Sequence, residues 1–269
     1  MADFVLAFGV VAALSAALLL AWSRVMIPPR RKWHRVAIVV TVAVILTGVG
    51  LYQLTKSRSF QFAGEFLQRV ETEERVVALT FDDGPTPEYT DWVLQQLGAH
   101  DAKATFYLVG SACDDHPDLL ESIVDAGHEL GNHSYSHRRL YFVPTAVVAE
   151  EIERTDEVFR DACYSGPITF RMPGCKRLLT TPLYLASTDR TTVTWDLEPD
   201  SIPEISGDAG ALADHVVENV RPGSIVLMHV MYEAREPSRE ALPVILERLA
   251  EEGYRFVTVS ELLALDEGR

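Results

Sequence analysis

Cysteine is scarce in this chain. Three occur in 269 residues, Cys113, Cys163 and Cys175, an odd number with no CxxC pair. Neither a zinc finger nor a disulfide framework is indicated. A Cys163–Cys175 bridge is disfavoured, because a predicted strand between them would hold the two apart. Lysine is scarcer still after residue 58, where only Lys103 and Lys176 remain. There, 17 basic residues face 38 acids, a net charge of −21. A body that acidic lacks the basic face that phosphates need, which excludes a nucleic-acid partner, and it repels anionic lipid. No fixed-length repeat and no low-complexity tract is present. With 48% hydrophobic and 23% charged residues the composition is globular. About 210 residues suffice for one domain with a substantial core.

The first 58 residues are the reverse, with seven basic residues against the single acid Asp3. Phe4–Trp22 and Val36–Leu54 are each 19 residues without a charge, close to the roughly 20 that cross a bilayer core. Ser23–Arg35 between them carries five positive charges and no acid, so the positive-inside rule makes that loop cytoplasmic. The first segment lacks a basic leader, which favours an anchor over a cleaved signal peptide. The expectation is a transmembrane helical hairpin over residues 1–58, in contact with membrane lipid, with both ends outside the cytoplasm. Residues 59–75 read as a linker, with a short helix over Gln61–Thr72, and residues 76–269 as the extracytoplasmic domain.

From Val76 short apolar runs alternate with helical spacing. Seven strands are predicted: Val76–Phe81, Ala104–Val109, Glu129–Asn132, Ile168–Arg171, Thr192–Leu197, Ser224–Val230 and Arg255–Val259. Helices are predicted over Pro117–Ala126, Thr145–Cys163, Asp208–Val220 and Ser238–Gly253, and around Trp92–Leu97. Strands alternating with helices imply a parallel α/β sheet, open or closed into a barrel.

In such folds reactive groups collect at the C-terminal ends of the strands. The first strand ends Thr80-Phe81-Asp82-Asp83-Gly84-Pro85, and the third runs into His133-Ser134-Tyr135-Ser136-His137. The fourth ends at Arg171-Met172-Pro173-Gly174, the fifth runs Asp196-Leu197-Glu198-Pro199-Asp200, and the sixth ends Leu227-Met228-His229. Two histidines four apart sit on one side of a helical turn, as a metal pair requires. One carboxylate of Asp82 and Asp83 can complete a His-His-Asp set, and the other is free to act as a base. Zinc accepts that set, as do cobalt and nickel.

The chain resembles the polysaccharide deacetylases with a NodB homology domain, carbohydrate esterase family 4. The likeness covers roughly Val76–Leu263 and is carried most specifically by Thr80–Pro85 and His133–His137. The resemblance implies a distorted (β/α) barrel and one divalent metal ion, zinc foremost, on Asp83, His133 and His137. It implies Asp82 as base, Arg171 as the partner that orients it, His229 as acid, and Leu227 as part of an acetyl pocket. Two motifs depart from the family pattern. Gly174 stands where an aromatic wall is usual, leaving its N–H to serve an oxyanion. Glu198 and Asp200 share the place of the acid that supports His229, and spacing does not choose between them. Tyr232 follows in the same loop as a candidate for stacking on a sugar. The implied activity is removal of acetyl groups from an acetylated cell-wall or surface polysaccharide. The alternatives are a catalytically silent glycan-binding homologue and an amidohydrolase acting on a small C–N substrate.

Overall fold

The computed structural model describes residues 29–55, 61–141, 143–175 and 179–267. The chain divides into two units, 1–60 and 61–269. In the first, helix α1 (Pro29–Thr55) contains the apolar stretch Trp33–Gly50. Among the described residues it is the helix long and apolar enough to cross a membrane. Ile38, Val42, Val44 and Ile45 are exposed on it. It begins seven residues before the second predicted segment and takes in Arg30–Arg35, which were expected to lie in a loop. Phe4–Trp22, the other arm of the expected hairpin, lies outside the described residues.

The second unit is an α/β fold of parallel strands. A five-stranded sheet has the order β4 (Glu129–Asn132), β3 (Ala104–Leu108), β2 (Val76–Asp82), β6 (Ser224–Met228), and β7 (Arg255–Phe256) joins the start of β2. Every residue of β2, β3, β4 and β6 is buried, as in a parallel sheet covered on both faces. Alternation along β2 divides its side chains. Val77, Leu79 and Phe81 pack with helix residues such as Leu97, Leu120 and Leu242. Val76 and Ala78 face the other way, with Tyr107, Trp195 and Leu227. Asp82 continues the second series. The register pairs Asp82 with Tyr107, Phe81 with Met228, and Leu108 with Asn132. The strands therefore end level, and the residues just beyond them (Asp83, His133, His229) emerge side by side.

Three expectations about strands are corrected. Ile168–Arg171 is not a ladder. Phe170 alone bridges Asn132 on one side and Thr192 on the other, in a segment bounded by Pro167 and Pro173, which cannot donate. Of Thr192–Leu197, only β5 (Thr192–Val193) is a strand. Asp196 and Leu197 both donate their N–H to Ile225 O, and the Asp196 carboxylate takes the Ile225 N–H, a bulge that ends the ladder. Gln61–Thr72 is not helical. Gly64 has φ +80°, and Phe66–Leu67 form β1, parallel to β5, with Leu67 in the core. Single bridges also tie Leu197 to Val226 and Arg69 to Ser224.

The helices fall close to expectation: α4 (Pro117–Asp125), α5 (Thr145–Asp161), α7 (Ala209–Asn219, capped by Asp208) and α8 (Glu236–Glu251). Shorter helices α2 (Thr90–Ala99), α3 (Gly110–Asp115), α6 (Thr180–Ser187) and α9 (Val259–Glu267) complete the unit. The three cysteines are free.

Gly223 shows how tightly β6 is seated. Its φ is +80°, its carbonyl accepts Val70 N–H, and a Cβ there would lie 1.9 Å from Val70 O. Gly223→Ala should lower unfolding free energy by more than about 1 kcal/mol in a urea titration. An unchanged midpoint would contradict this seating.

Candidate active site

The inward face of β2 carries Thr80 and Asp82, and both are met by Arg171. The Arg171 side chain is fully buried. Its Nη1 donates to Asp82 Oδ1 at 2.7 Å and to Thr80 Oγ1 at 2.8 Å. Nη2 and Nε donate to the carbonyls of Thr194 and Val193. The guanidinium lies 3.9 Å from the Tyr107 ring centroid and 5.4 Å from that of Trp195. Tyr107 can lie this way because β4 has Gly131 opposite, where a Cβ would be 2.4 Å from the ring. Burial pushes the Asp82 carboxyl up, but Arg171, His133 and His229 together outweigh it and hold the carboxyl below its ordinary range.

Asp83 is the next residue and would point to the opposite face in a regular strand. Its φ of +70° turns it back towards the same cavity. His133 and His137 stand beside it, on a loop rather than the expected helical turn. Ser134 and His137 have φ of +64° and +53°, which interrupts any helix. This bend brings the imidazoles to 5.0 Å between ring centroids. His133 Nδ1 lies 2.8 Å from Arg171 O, so that nitrogen carries a proton and Nε2 is the one turned to Asp82 and Asp83. His137 Nε2 is 3.2 Å and His133 Nε2 3.8 Å from Asp83 Oδ1. Burial first, then the charge of His133, lower the pKa of His137, which favours a neutral ring.

These three groups fit a divalent cation. Their donor atoms lie within 4.8 Å of one another, and Asp83 Oδ1 is buried without a hydrogen bond. One carboxylate and two imidazoles form a set that zinc and neighbouring ions take, with a position left open.

His229 follows β6, on the other side of β2 from β3 and β4. Its N–H donates to Asp200 Oδ2 at 2.7 Å, and its Nδ1 lies 3.3 Å from both carboxylate oxygens of Asp200. Asp200 is buried and also accepts from Ser238 Oγ. Burial alone would lower the His229 pKa, but the Asp200 hydrogen bond and the charges of Asp82, Asp200 and Asp83 raise it to about 9. Glu198, the other candidate support, is turned away. It accepts from Trp195 Nε1 at 2.8 Å and Ser201 Oγ at 2.5 Å. The bulge at Asp196–Leu197 and a short 3-10 turn at Pro199–Ser201 break the alternation that left the two acids equivalent in sequence. Asp200 and Glu198 are both satisfied by hydrogen bonds.

The remaining candidates are placed as follows. Gly174 has φ +62°, and a Cβ there would meet nothing within 4 Å. Leu227 is buried on the inward face with Tyr107 and Trp195. Tyr232 is 44% exposed, with its ring stacked on His229. Burial and the nearby Asp83 raise its phenol pKa to about 12. Thr80 and Gly131 are not candidates that sequence reasoning picks out individually, although Thr80 shares the inward series with Asp82.

The His229–Asp200 pair has a pH signature. A pKa raised from 6.5 to about 9 gives stability that is full below about 6.5 and is lost as pH rises through about 9. In urea titrations with chelator present, wild type should exceed Asp200→Asn most at pH 6. The gap should narrow as pH rises through about 9. A gap constant from pH 6 to 10 would contradict the pairing.

Comparison with known proteins agrees with this geometry. Residues 69–193 match the family model for polysaccharide deacetylase. The chain is 35% identical over 197 residues to a peptidoglycan-N-acetylglucosamine deacetylase of Bacillus cereus, covering 72% of this chain and 91% of that protein. Among solved structures, the Bc1960 peptidoglycan N-acetylglucosamine deacetylase superposes with a TM-score of 0.69 at 29% identity, over 73% of this chain and 92% of that one. A pseudoenzyme of carbohydrate esterase family 4 from Bacillus anthracis superposes with a TM-score of 0.66 at 26% identity, over 75% of this chain and 70% of that one. With its strand ends carrying Asp82-Asp83, His133 and His137, Arg171 and His229, the chain belongs to the polysaccharide deacetylase family.

Proposed function

We propose that this protein is a metal-dependent hydrolase that removes acetyl groups from a cell-wall or surface polysaccharide, acting on N-acetylglucosamine-type amides. The observation that carries the reading is the gathering of Asp83, His133 and His137 beside an ionised Asp82, in one cavity with a protonated His229. The names of the relatives from Bacillus cereus support the amide and the peptidoglycan-like substrate.

One divalent cation, zinc foremost with cobalt or nickel as alternatives, would be held by Asp83, His133 and His137. When bound it supplies Lewis-acid polarisation of the acyl carbonyl and acidifies water. Asp82, kept ionised by Arg171, accepts the proton of the attacking water. His229 holds its proton on the ring nitrogen turned away from Asp200 and gives it to the leaving amine. The Gly174 N–H serves the oxyanion, Leu227 bounds the acetyl pocket, and Tyr232 meets the sugar. Asp200 takes the supporting role, and Glu198 steadies Trp195 beside Arg171.

Around this site, the bridges at Phe170, Leu197 and Arg69 continue the sheet towards β5 and β1, which supports a distorted barrel. Helix α1 is read as a membrane anchor, its basic start in the cytoplasm and the catalytic unit outside. The presence of a pseudoenzyme among the structural neighbours keeps a silent glycan-binding role as the second reading. Intact Asp82, Asp83, His133, His137 and His229 favour catalysis.

Asp82→Asn should retain zinc on elemental analysis while acetate release falls about 10²–10⁴-fold, the usual worth of a general base. His133→Ala should lose both metal and turnover. Near wild-type turnover in Asp82→Asn would overturn the assignment.

A further inference from the structure

The loop His133–His137 has no regular form of its own. Ser134 and His137 both stand in the left-handed region, so neighbours must hold its shape. At its start the His133 N–H donates to Leu108 O, and the ring is held by Arg171 O. Asn132, just before it, is buried, and its side-chain oxygen accepts Ser134 N–H at 2.9 Å. Asn132 Nδ2 in turn donates to Asp156 of α5 at 2.7 Å. In the middle of the loop the carbonyls of Ser134 and Tyr135 accept from Gly110 and Ser111 of α3. At the far end the hold comes from Glu151 of α5. Its Oε2 accepts Ser136 N–H at 2.8 Å, and its Oε1 accepts Ser136 Oγ at 2.6 Å.

Glu151 is a buried carboxylate, 7% exposed, that the chemistry of Asp82 and His229 does not use. A buried carboxylate is costly unless hydrogen-bonded, and here both oxygens go to one residue. Two bonds to Ser136 fix its orientation as well as its position, and so the direction in which the chain leaves towards His137. The His137 side chain is 40% exposed, with Nε2 3.2 Å from Asp83 Oδ1. A ring so open to solvent is not fixed by packing, and its backbone must deliver it. The base of this grip is firm. A Cβ on Gly110 of α3 would stand 2.6 Å from Thr155 Oγ1 of α5, which itself donates to Glu151 O.

We propose that Glu151 is a positioning residue for the cation centre: its carboxylate holds Ser136 so that His137 completes the set with Asp83 and His133. The inference rests on reading those three residues as ligands. Groups outside a ligand set that orient its members typically account for 10–100-fold in metal affinity. Ser136 is exposed, so water can take its donors once the carboxylate is gone, and the core is left as it was.

The test uses the full chain in detergent micelles, with zinc alone as the probe, in competition with a chromophoric chelator. Glu151→Met keeps the length of the side chain and removes both acceptors. Zinc affinity should fall roughly 10-fold or more, with the metal-free unfolding midpoint unchanged. Glu151→Gln can still accept from Ser136 N–H and donate to Ser136 Oγ, and should bind zinc close to wild type. Unaltered zinc affinity in Glu151→Met overturns the proposal. So does a Glu151→Gln variant as weak as Glu151→Met, which would make the charge rather than the hold the cause. A fall in affinity matched by a fall in metal-free stability overturns it as well. Ser136→Ala decides the matter from the exposed end if Glu151→Met does not fold. Weaker zinc binding at unchanged stability supports the hold, and unaltered binding overturns it. His137→Ala, measured in parallel, separates the two levels. If it binds zinc like wild type, the cation centre itself is misread. If it loses zinc while Glu151→Met does not, only the role of Glu151 fails.

Discussion

A single buried guanidinium organises the centre of this molecule. Arg171 has no access to solvent, so its charge must be answered inside the protein. Asp82 answers it directly, while Thr80 and the carbonyls of Val193 and Thr194 take the other donors. Tyr107 and Trp195 lie over it. Its own carbonyl accepts from His133, which fixes the tautomer of that ring. Losing one partner of a buried pair typically costs about 3–5 kcal/mol, because the other is left uncompensated. One residue thus ties β2, the Phe170 crossing and the His133 loop together, so local disorder there would disturb Asp82 and His133 at once.

The second constraint is electrostatic separation. Asp82 and His229 share a cavity, yet their environments drive them to opposite tasks. Arg171 holds the first ionised, and Asp200 holds the second protonated up to about 9. Pushing two titratable groups apart in this way sets their charge states by surroundings rather than by residue type, as the proposed base and acid roles require. At the strand ends Asp82 and Asp83, at the end of β2, lie between His133 at the end of β4 and His229 at the end of β6. Most of the −21 charge of the body lies elsewhere; at the site Asp82 and Asp200 have hydrogen-bond partners, while Asp83 Oδ1 has none.

Much of this was legible in sequence because the chemistry sits at strand ends. The apolar runs at β2, β3, β4 and β6 are long enough to mark those ends, and Asp82, Asp83, His133 and His229 follow them directly. What was hidden depends on backbone turns that periodicity does not encode. The left-handed Asp83 allows adjacent acids to share a cavity, and the left-handed Ser134 and His137 replace a helix with a loop. The bulge at Asp196–Leu197 decides for Asp200 over Glu198. At the entry to the body, Phe66–Leu67 are too few to show an alternation, and only pairing with β5 makes them a strand.

The central claim is that a cation held by Asp83, His133 and His137 serves deacetylation by Asp82 and His229. Acetate release from N-acetylated peptidoglycan by the full chain in detergent, with chelator and then with added zinc, tests it most directly. The account predicts release that chelator abolishes and zinc restores. Release indifferent to chelator, or none from any acetylated glycan in a panel, would contradict it.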